Sequence, residues 1–281
     1  MIVVTGATGN VGRTLVQTLA AAGEQVIAVS RGITPPALPD GVRHQRADVT
    51  EPETLAPAFA GAKALFLHDT GTSAHLMDPR AILELAKSAG IRRVVQLSSQ
   101  GVVTRPESAS HGQLGQSIEH AVRESGLEWT ILRPSAFASN AYAWVESARN
   151  QRTVAAPFGE VGLPVIDPAD IAEVAAAALR EDGHAEQIYT LTGPALSTPR
   201  QRAEDLGAAL GEPILFIEQT REQARAQMMQ FMPEPVVETT LAIIGAPTPA
   251  EQQVSPDVEK VLGRTPHSFA DWVRRNAVAF K

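Results

Sequence analysis

The chain has no cysteine among its 281 residues. That absence excludes disulfides, thiolate metal sites, iron–sulfur clusters and a cysteine nucleophile together, and it suits a reducing compartment. Lysine is scarce too: Lys63, Lys87, Lys260 and Lys281 are the whole set, and the arginines are scattered. With a formal charge of −7 there is no clustered cationic surface for phosphate backbones, so nucleic acid is not an expected partner. Long apolar runs are missing: residues 171–179 are interrupted by Glu173 and fall short of a bilayer's thickness. Met1 leads straight into Ile2-Val3-Val4 with no charged segment before it. A cytoplasmic protein that does not engage membranes is therefore expected.

What remains is an ordinary globular composition, 44% hydrophobic and 20% charged. Short apolar runs at 2–5, 25–30, 64–68, 93–98 and 129–132 alternate with helical patterns at 11–22, 79–89 and 114–125. A further strand at 42–46 precedes a weaker helix at 52–60. This rhythm predicts an α/β, Rossmann-like doubly wound parallel sheet. Beyond Pro134 proline and glycine become frequent. Helices at 169–180, 199–210, 221–232, 236–244 and 268–280, with strands at 188–191 and 214–218, predict a smaller, mainly helical C-terminal region. The expected division is a dinucleotide-binding core at 1–150, its sheet completed by part of 164–193, and a substrate-binding region at 151–281. That region would pack on the sheet's carboxyl edge, where such folds bind ligands.

The segment Thr5-Gly6-Ala7-Thr8-Gly9-Asn10-Val11-Gly12 follows a strand and opens a helix, with glycines spaced G-x-x-G-x-x-G. Gly6 suits a tight turn, Gly9 a close approach to a pyrophosphate, and Gly12 close packing of helix on strand. The free N–H groups of the helix start then face the phosphates. The second strand ends in Ser30-Arg31 rather than in the acid that would hold a ribose 2′-hydroxyl. An arginine there pairs with a 2′-phosphate, so NADP(H) is favoured, with NAD(H) possible if Arg31 is merely solvated. Asp48-Val49 is placed to flank the adenine, although Asp48 equally suits a turn before Pro52.

The glycine loop, Asp48-Val49, Leu97-Ser98-Ser99, the run from Gly126 through Trp129 to Arg133-Pro134, and Asp167-Pro168-Ala169-Asp170 together resemble the NmrA-like atypical short-chain dehydrogenases. The resemblance is continuous to about Gly193. It implies an NAD(P)(H) site and a substrate cleft between sheet and C-terminal region. It further implies a pyrophosphate loop of Gly6, Thr8, Gly9, Asn10, Val11 and Gly12, and phosphate discrimination at Arg31. Leu67, His68 and Asp69 would lie along the nicotinamide ribose, with Ser98 and Ser99 below the nicotinamide. Members of the family reduce quinones or dyes, tailor aromatic polyketides, or sense the cofactor's redox state.

One departure matters. Typical short-chain dehydrogenases use Tyr-x-x-x-Lys as the proton donor. Here the fourth residues after Tyr142 and Tyr189 are Glu146 and Gly193, and the family's His or Tyr before Glu119 falls on Gly115. A simple ketone needs an acid for its alkoxide, whereas a quinone leaves a delocalised anion, so the missing pair points to a quinone or polycyclic aromatic substrate. His68, Ser99 and His111 are the candidate catalytic groups. Against them, His68 suits a strand-end backbone bond, Ser98 and Ser99 suit backbone caps, and Ser108 to Gly112 reads as a mobile loop with a solvated His111. His120 reads as structural. Phe137, Asn140 and Trp144, with Tyr142 beside them, and Met228 and Met232, with Met229 and Phe231, offer a flat aromatic pocket or plain core packing. Two further functions fit the same residues. One is a flavin- and metal-independent monooxygenase acting through an NADPH-generated quinol. The other is a non-catalytic redox sensor working through a protein partner. No metal ligands are expected, and a homo-oligomer is possible.

Overall fold

The structure, a computed structural model, describes residues 1–32, 38–68 and 75–281. Seven strands, β1 (Ile2–Val4), β2 (Val26–Ser30), β3 (Val42–Arg46), β4 (Ala64–His68), β5 (Arg93–Leu97), β6 (Glu128–Pro134) and β8 (Gln187–Leu191), form one sheet in the order β3-β2-β1-β4-β5-β6-β8. Every pairing in it is parallel. The order reverses between β1 and β4, which opens a crevice at their carboxyl ends.

Helices cover both faces, as a parallel sheet requires. α1 (Asn10–Ala21) turns Val11, Leu15, Val16 and Leu19 inward at helical spacing. It packs with the alanine-rich α7 (Pro168–Arg180) over Val4, Ala28, Phe66 and Leu97. On the other face lie the short α2 (Ala56–Phe59), then α3 (Pro79–Ser88) and α5 (Leu114–Glu124). They bury Phe59, Ile82 and Ile118 against Leu65, Val94 and Ile131. α4 (Gly101–Thr104) follows β5, and a π-helical turn at Ala109–Gln113 runs into α5.

The C-terminal region differs from expectation in three places. The strand expected at 214–218 does form, as β9 (Leu215–Gln219), but it leaves the main sheet. It pairs in parallel with β7 (Thr153–Pro157), a strand not expected from the sequence pattern. The helix expected at 221–232 stops earlier: α9 covers Arg221–Met228, and turns at 229–231 lead to Pro233, which starts α10 (Glu234–Gly245). The closing helix is α12 (Phe269–Asn276) followed by a 3-10 turn, Ala277–Phe280. The remaining helices are α6 (Val145–Gln151), α8 (Pro199–Leu210) and α11 (Asp257–Leu262). A separate core of Trp272, Phe269, Leu206 and Val154 holds this region together. Among the described residues no helix is long and apolar enough to cross a membrane.

Candidate active site

The crevice between β1 and β4 is built around Thr5. Its hydroxyl donates to the Phe66 carbonyl at 3.0 Å and accepts from the His68 N–H at 2.8 Å, locking the two strand ends together. The chain then turns at Gly6, whose φ of +62° is the left-handed conformation that glycine tolerates. The Gly9 N–H closes the turn on the Gly6 carbonyl at 2.9 Å. Gly12 is required by contact: a Cβ there would stand 2.2 Å from the Gly6 oxygen. The first helical N–H groups, of Asn10, Val11 and Gly12, have no intrahelical carbonyl to reach and line the cleft instead. Nothing acidic stands in this first turn. The cradle fits a pyrophosphate.

The cleft, of about 290 Å³, runs from Ser30 and Arg31 past the glycine loop to His68 and Phe137. Of the residues expected to bind the cofactor, Gly6, Thr8, Gly9, Asn10, Val11, Gly12, Arg31, Asp48, Val49 and His68 all line it. Asp48 has both expected features, since it faces the cleft while its Oδ1 accepts from the Thr50 N–H and hydroxyl. Leu67 does not line the cleft: it is fully buried in the core below. Asp69 lies outside the described residues. Asn10 donates to the Ser139 hydroxyl at 3.1 Å, tying the loop to the 3-10 turn Ala138–Trp144.

At the end of β5 the two serines part. The Ser98 hydroxyl donates to Glu119 at 2.6 Å, away from the cleft. Glu119 is buried and also accepts from Arg133 at 2.9 and 2.6 Å and from Arg123 at 3.0 Å. Burial alone would raise its pKa, but the bonds from Arg133 and Ser98 and the two arginine charges hold it below the usual range. Ser99 accepts from the Gly101 N–H at 3.1 Å. A Cβ on Gly101 would come within 3.0 Å of the His111 Cβ and 3.3 Å of the Ser99 hydroxyl, so this glycine lets the two side chains approach. The expected mobile loop around His111 is instead the π-helical turn, pinned to α10 through Ser108 and Thr239 at 2.9 Å. His111 on this turn is half-buried beside Gly101. Burial lowers the His111 pKa against the opposing charge of Glu251. His120 is exposed and pairs with Glu124.

The expected substrate residues divide. Phe137 lines the cleft. Asn140 is exposed on the next turn, and Trp144 packs in the C-terminal core, its indole N–H donating to the Ala155 carbonyl at 3.2 Å. Met228 and Met232 pack with Phe158 around Val237 and Leu241.

A family model for NAD(P)H-binding proteins matches residues 6–182. The chain belongs to this NAD(P)H-binding family. It is 34% identical over its whole length, and over 99% of the relative's, to a (4-alkanoyl-5-oxo-2,5-dihydrofuran-3-yl)methyl phosphate reductase of Streptomyces griseus. It is 31% identical, at 100% and 99% coverage, to an NAD(P)H azoreductase of Xenophilus azovorans. The NADPH complex of an Escherichia coli NADPH-dependent quinone oxidoreductase shares the fold, with a TM-score of 0.77 at 22% identity, covering 98% of this chain and 99% of that one. The NmrA-like fold inferred from the motifs is thus present, and the protein is an NAD(P)H-dependent oxidoreductase.

Gly115, where the resemblance places a His or Tyr, stands in a crowded position. A Cβ at Gly115 would stand 2.4 Å from Cγ2 of Val102, so the valine methyl fills the space a side chain would enter. Four residues on stands Glu119 with its arginine partners. Neither Val102 nor the Glu119–Arg133–Ser98 network was singled out from the sequence. Only the paired substitution at that four-residue spacing could have signalled them.

Proposed function

We propose that this protein reduces a quinone or polycyclic aromatic acceptor, with NAD(P)H supplying the hydride. The observation that supports this reading is the crowding at Gly115, where the resemblance places a His or Tyr: Val102 fills the space beside it, and four residues on stands an ion-paired Glu119 rather than a lysine. Without that acid, an acceptor whose reduced form spreads its negative charge over a conjugated system is favoured over a simple ketone, which leaves a localised alkoxide. The named activities of three relatives support it: azo compounds, quinones and an acylated oxo-dihydrofuran are conjugated acceptors.

The glycine loop and α1 hold the pyrophosphate, Arg31 meets a 2′-phosphate, and Asp48 and Val49 flank the adenine. His68, at the end of β4, borders the nicotinamide ribose. Ser99 and His111 are the polar groups available to a substrate oxygen. Ser110 lies 2.8 Å from Nδ1 of His111. A hydroxyl donating there leaves the ring proton on Nε2, so a neutral His111 still offers one N–H. Residues 151–281 supply the substrate side. Phe137 stacks on one face of a flat acceptor. Asn140, exposed on the turn after Phe137, is the further side chain within reach of a substrate, while Trp144, Met228 and Met232 support that side from the packed clusters behind it.

The test follows NADPH and NADH oxidation by the full chain against quinones, an azo dye, an acyl-dihydrofuranone and an aliphatic ketone, with and without oxygen. Quinone turnover that persists without oxygen is expected, with the aliphatic ketone slower by about 100-fold or more, the range a general acid supplies. Comparable ketone turnover overturns the proposal. Tight NADPH binding without turnover on any acceptor replaces it with the sensor, and an oxygen-dependent hydroxylated product with the monooxygenase.

A further inference from the structure

The adenosine end of the cleft contains a side-chain pair that Arg31 does not account for. Ser30 closes β2 and lines the cleft. Its hydroxyl lies 2.8 Å from Nε2 of His44 on the outermost strand. In the parallel register His44 stands opposite Ala28 and Arg46 opposite Ser30, so His44 and Arg46 share the face that carries Ser30. No ion pair to Arg31 or Arg46 occurs among the described residues. The nearby carboxylate, Asp48, already has Oδ1 engaged by Thr50 at 3.0 and 2.9 Å. The corner is rich in donors and poor in acceptors.

We propose that His44 is a positioning residue that acts through Ser30 to read the 2′-phosphate of NADP(H). A serine hydroxyl has one proton and two lone pairs. When the His44 Nε2–H donates to Ser30, the serine proton is left to point into the cleft. In the other tautomer serine donates to the ring and presents lone pairs, which a phosphate oxygen repels. Neutral imidazole carries its proton on either nitrogen, so a phosphate selects the first arrangement without a change of charge. A ribose 2′-hydroxyl both donates and accepts and is served by either tautomer. The pair therefore discriminates for the phosphate, and Arg31 and Arg46 add charge-assisted bonds. This inference rests on the reading that Arg31 meets the 2′-phosphate.

The experiment measures dissociation constants of the full chain for adenosine 2′,5′-bisphosphate and for 5′-AMP, and takes their ratio. Wild type prefers the bisphosphate. Ser30→Ala lowers that preference by about tenfold, as loss of a charge-assisted hydrogen bond implies. His44→Ala lowers it by about three- to tenfold, since Ser30 loses its orientation but not its proton. His44→Gln, whose Nε2–H can still donate to Ser30, keeps the preference within about twofold. An undiminished ratio in His44→Ala overturns the proposal, including when affinity for both nucleotides falls in parallel. If Arg31→Ala abolishes the preference while the Ser30 and His44 variants keep it, the Arg31 reading stands and the role of His44 falls. If wild type shows no preference, both fall.

Discussion

Replacing Glu119 by glutamine removes a negative charge held between two guanidinium groups where little water reaches. The Glu119 side chain is 3% exposed and that of Arg133 14%. Taking one partner from a buried pair costs about 3–5 kcal/mol, mostly because the other charge stays behind. Glutamine keeps one acceptor oxygen for Arg133 but turns an NH2 group toward it, so the lower end, about 3 kcal/mol, is expected. The Arg123 contact, from a side chain 42% exposed, adds only about 0.3–0.5 kcal/mol. For a chain of this size that total lowers Tm by about 6–10 °C. Urea unfolding of Glu119→Gln, Arg133→Met and the double variant gives the cycle. The double variant should cost about 2 kcal/mol less than the sum of the singles.

The same carboxylate has a pH signature. Its folded pKa lies below the unfolded value of 4.5. Its contribution is therefore fully present above pH 4.5 and is lost as pH falls through the folded value. The gap between wild type and Glu119→Gln should narrow over that acid range and stay constant above it. A Tm change under about 2 °C, or additive single variants, would mean that water screens the pair and would refute the reasoning.

Gly12→Ala places a Cβ 2.2 Å from the Gly6 oxygen, so loop or helix must shift. An NADPH affinity loss of about 10–100-fold, read by titration, is expected from strain of about 1–3 kcal/mol. Gly115→Ala would normally stabilise a helix by about 1 kcal/mol, but overpacking against Val102 costs about 1–3 kcal/mol, so a net loss is expected in urea unfolding. Adding Val102→Ala removes the clash and should recover stability; no recovery would show that the contact does not shape the site. Burial lowers the His111 pKa from 6.5, so the unfolded state binds the proton first and stability falls as pH drops through 6.5. His111→Gln should flatten that slope in urea midpoints between about pH 5 and 8.

The parts of this molecule that could be read from its sequence are those that local chemistry determines. β1, β2 and β4 are apolar on both faces because helices cover both, and such runs declare themselves without knowledge of a partner. The glycine loop is similar: Gly6 and Gly12 meet each other within one turn, so their spacing carries the geometry. β9 marks the limit. Its apolar run is visible, but its pairing with β7 rather than the main sheet depends on a strand that is short and ends at Pro157. The same limit applies to the site. Ser98 follows β5, Glu119 is on α5 and Arg133 on β6, and only the folded sheet shows that the serine's hydroxyl serves Glu119 while Ser99 remains near His111. What the sequence did carry was a negative signal, glycine and glutamate at the spacing of a tyrosine and a lysine. A donor pair lost by drift would leave a hole and an unpaired charge. Here a valine methyl fills the hole and two arginines balance the charge, and both features stabilise the fold. On the proposed reading the site serves chemistry that does not need a tyrosine acid, which is the physical basis for looking among conjugated acceptors first.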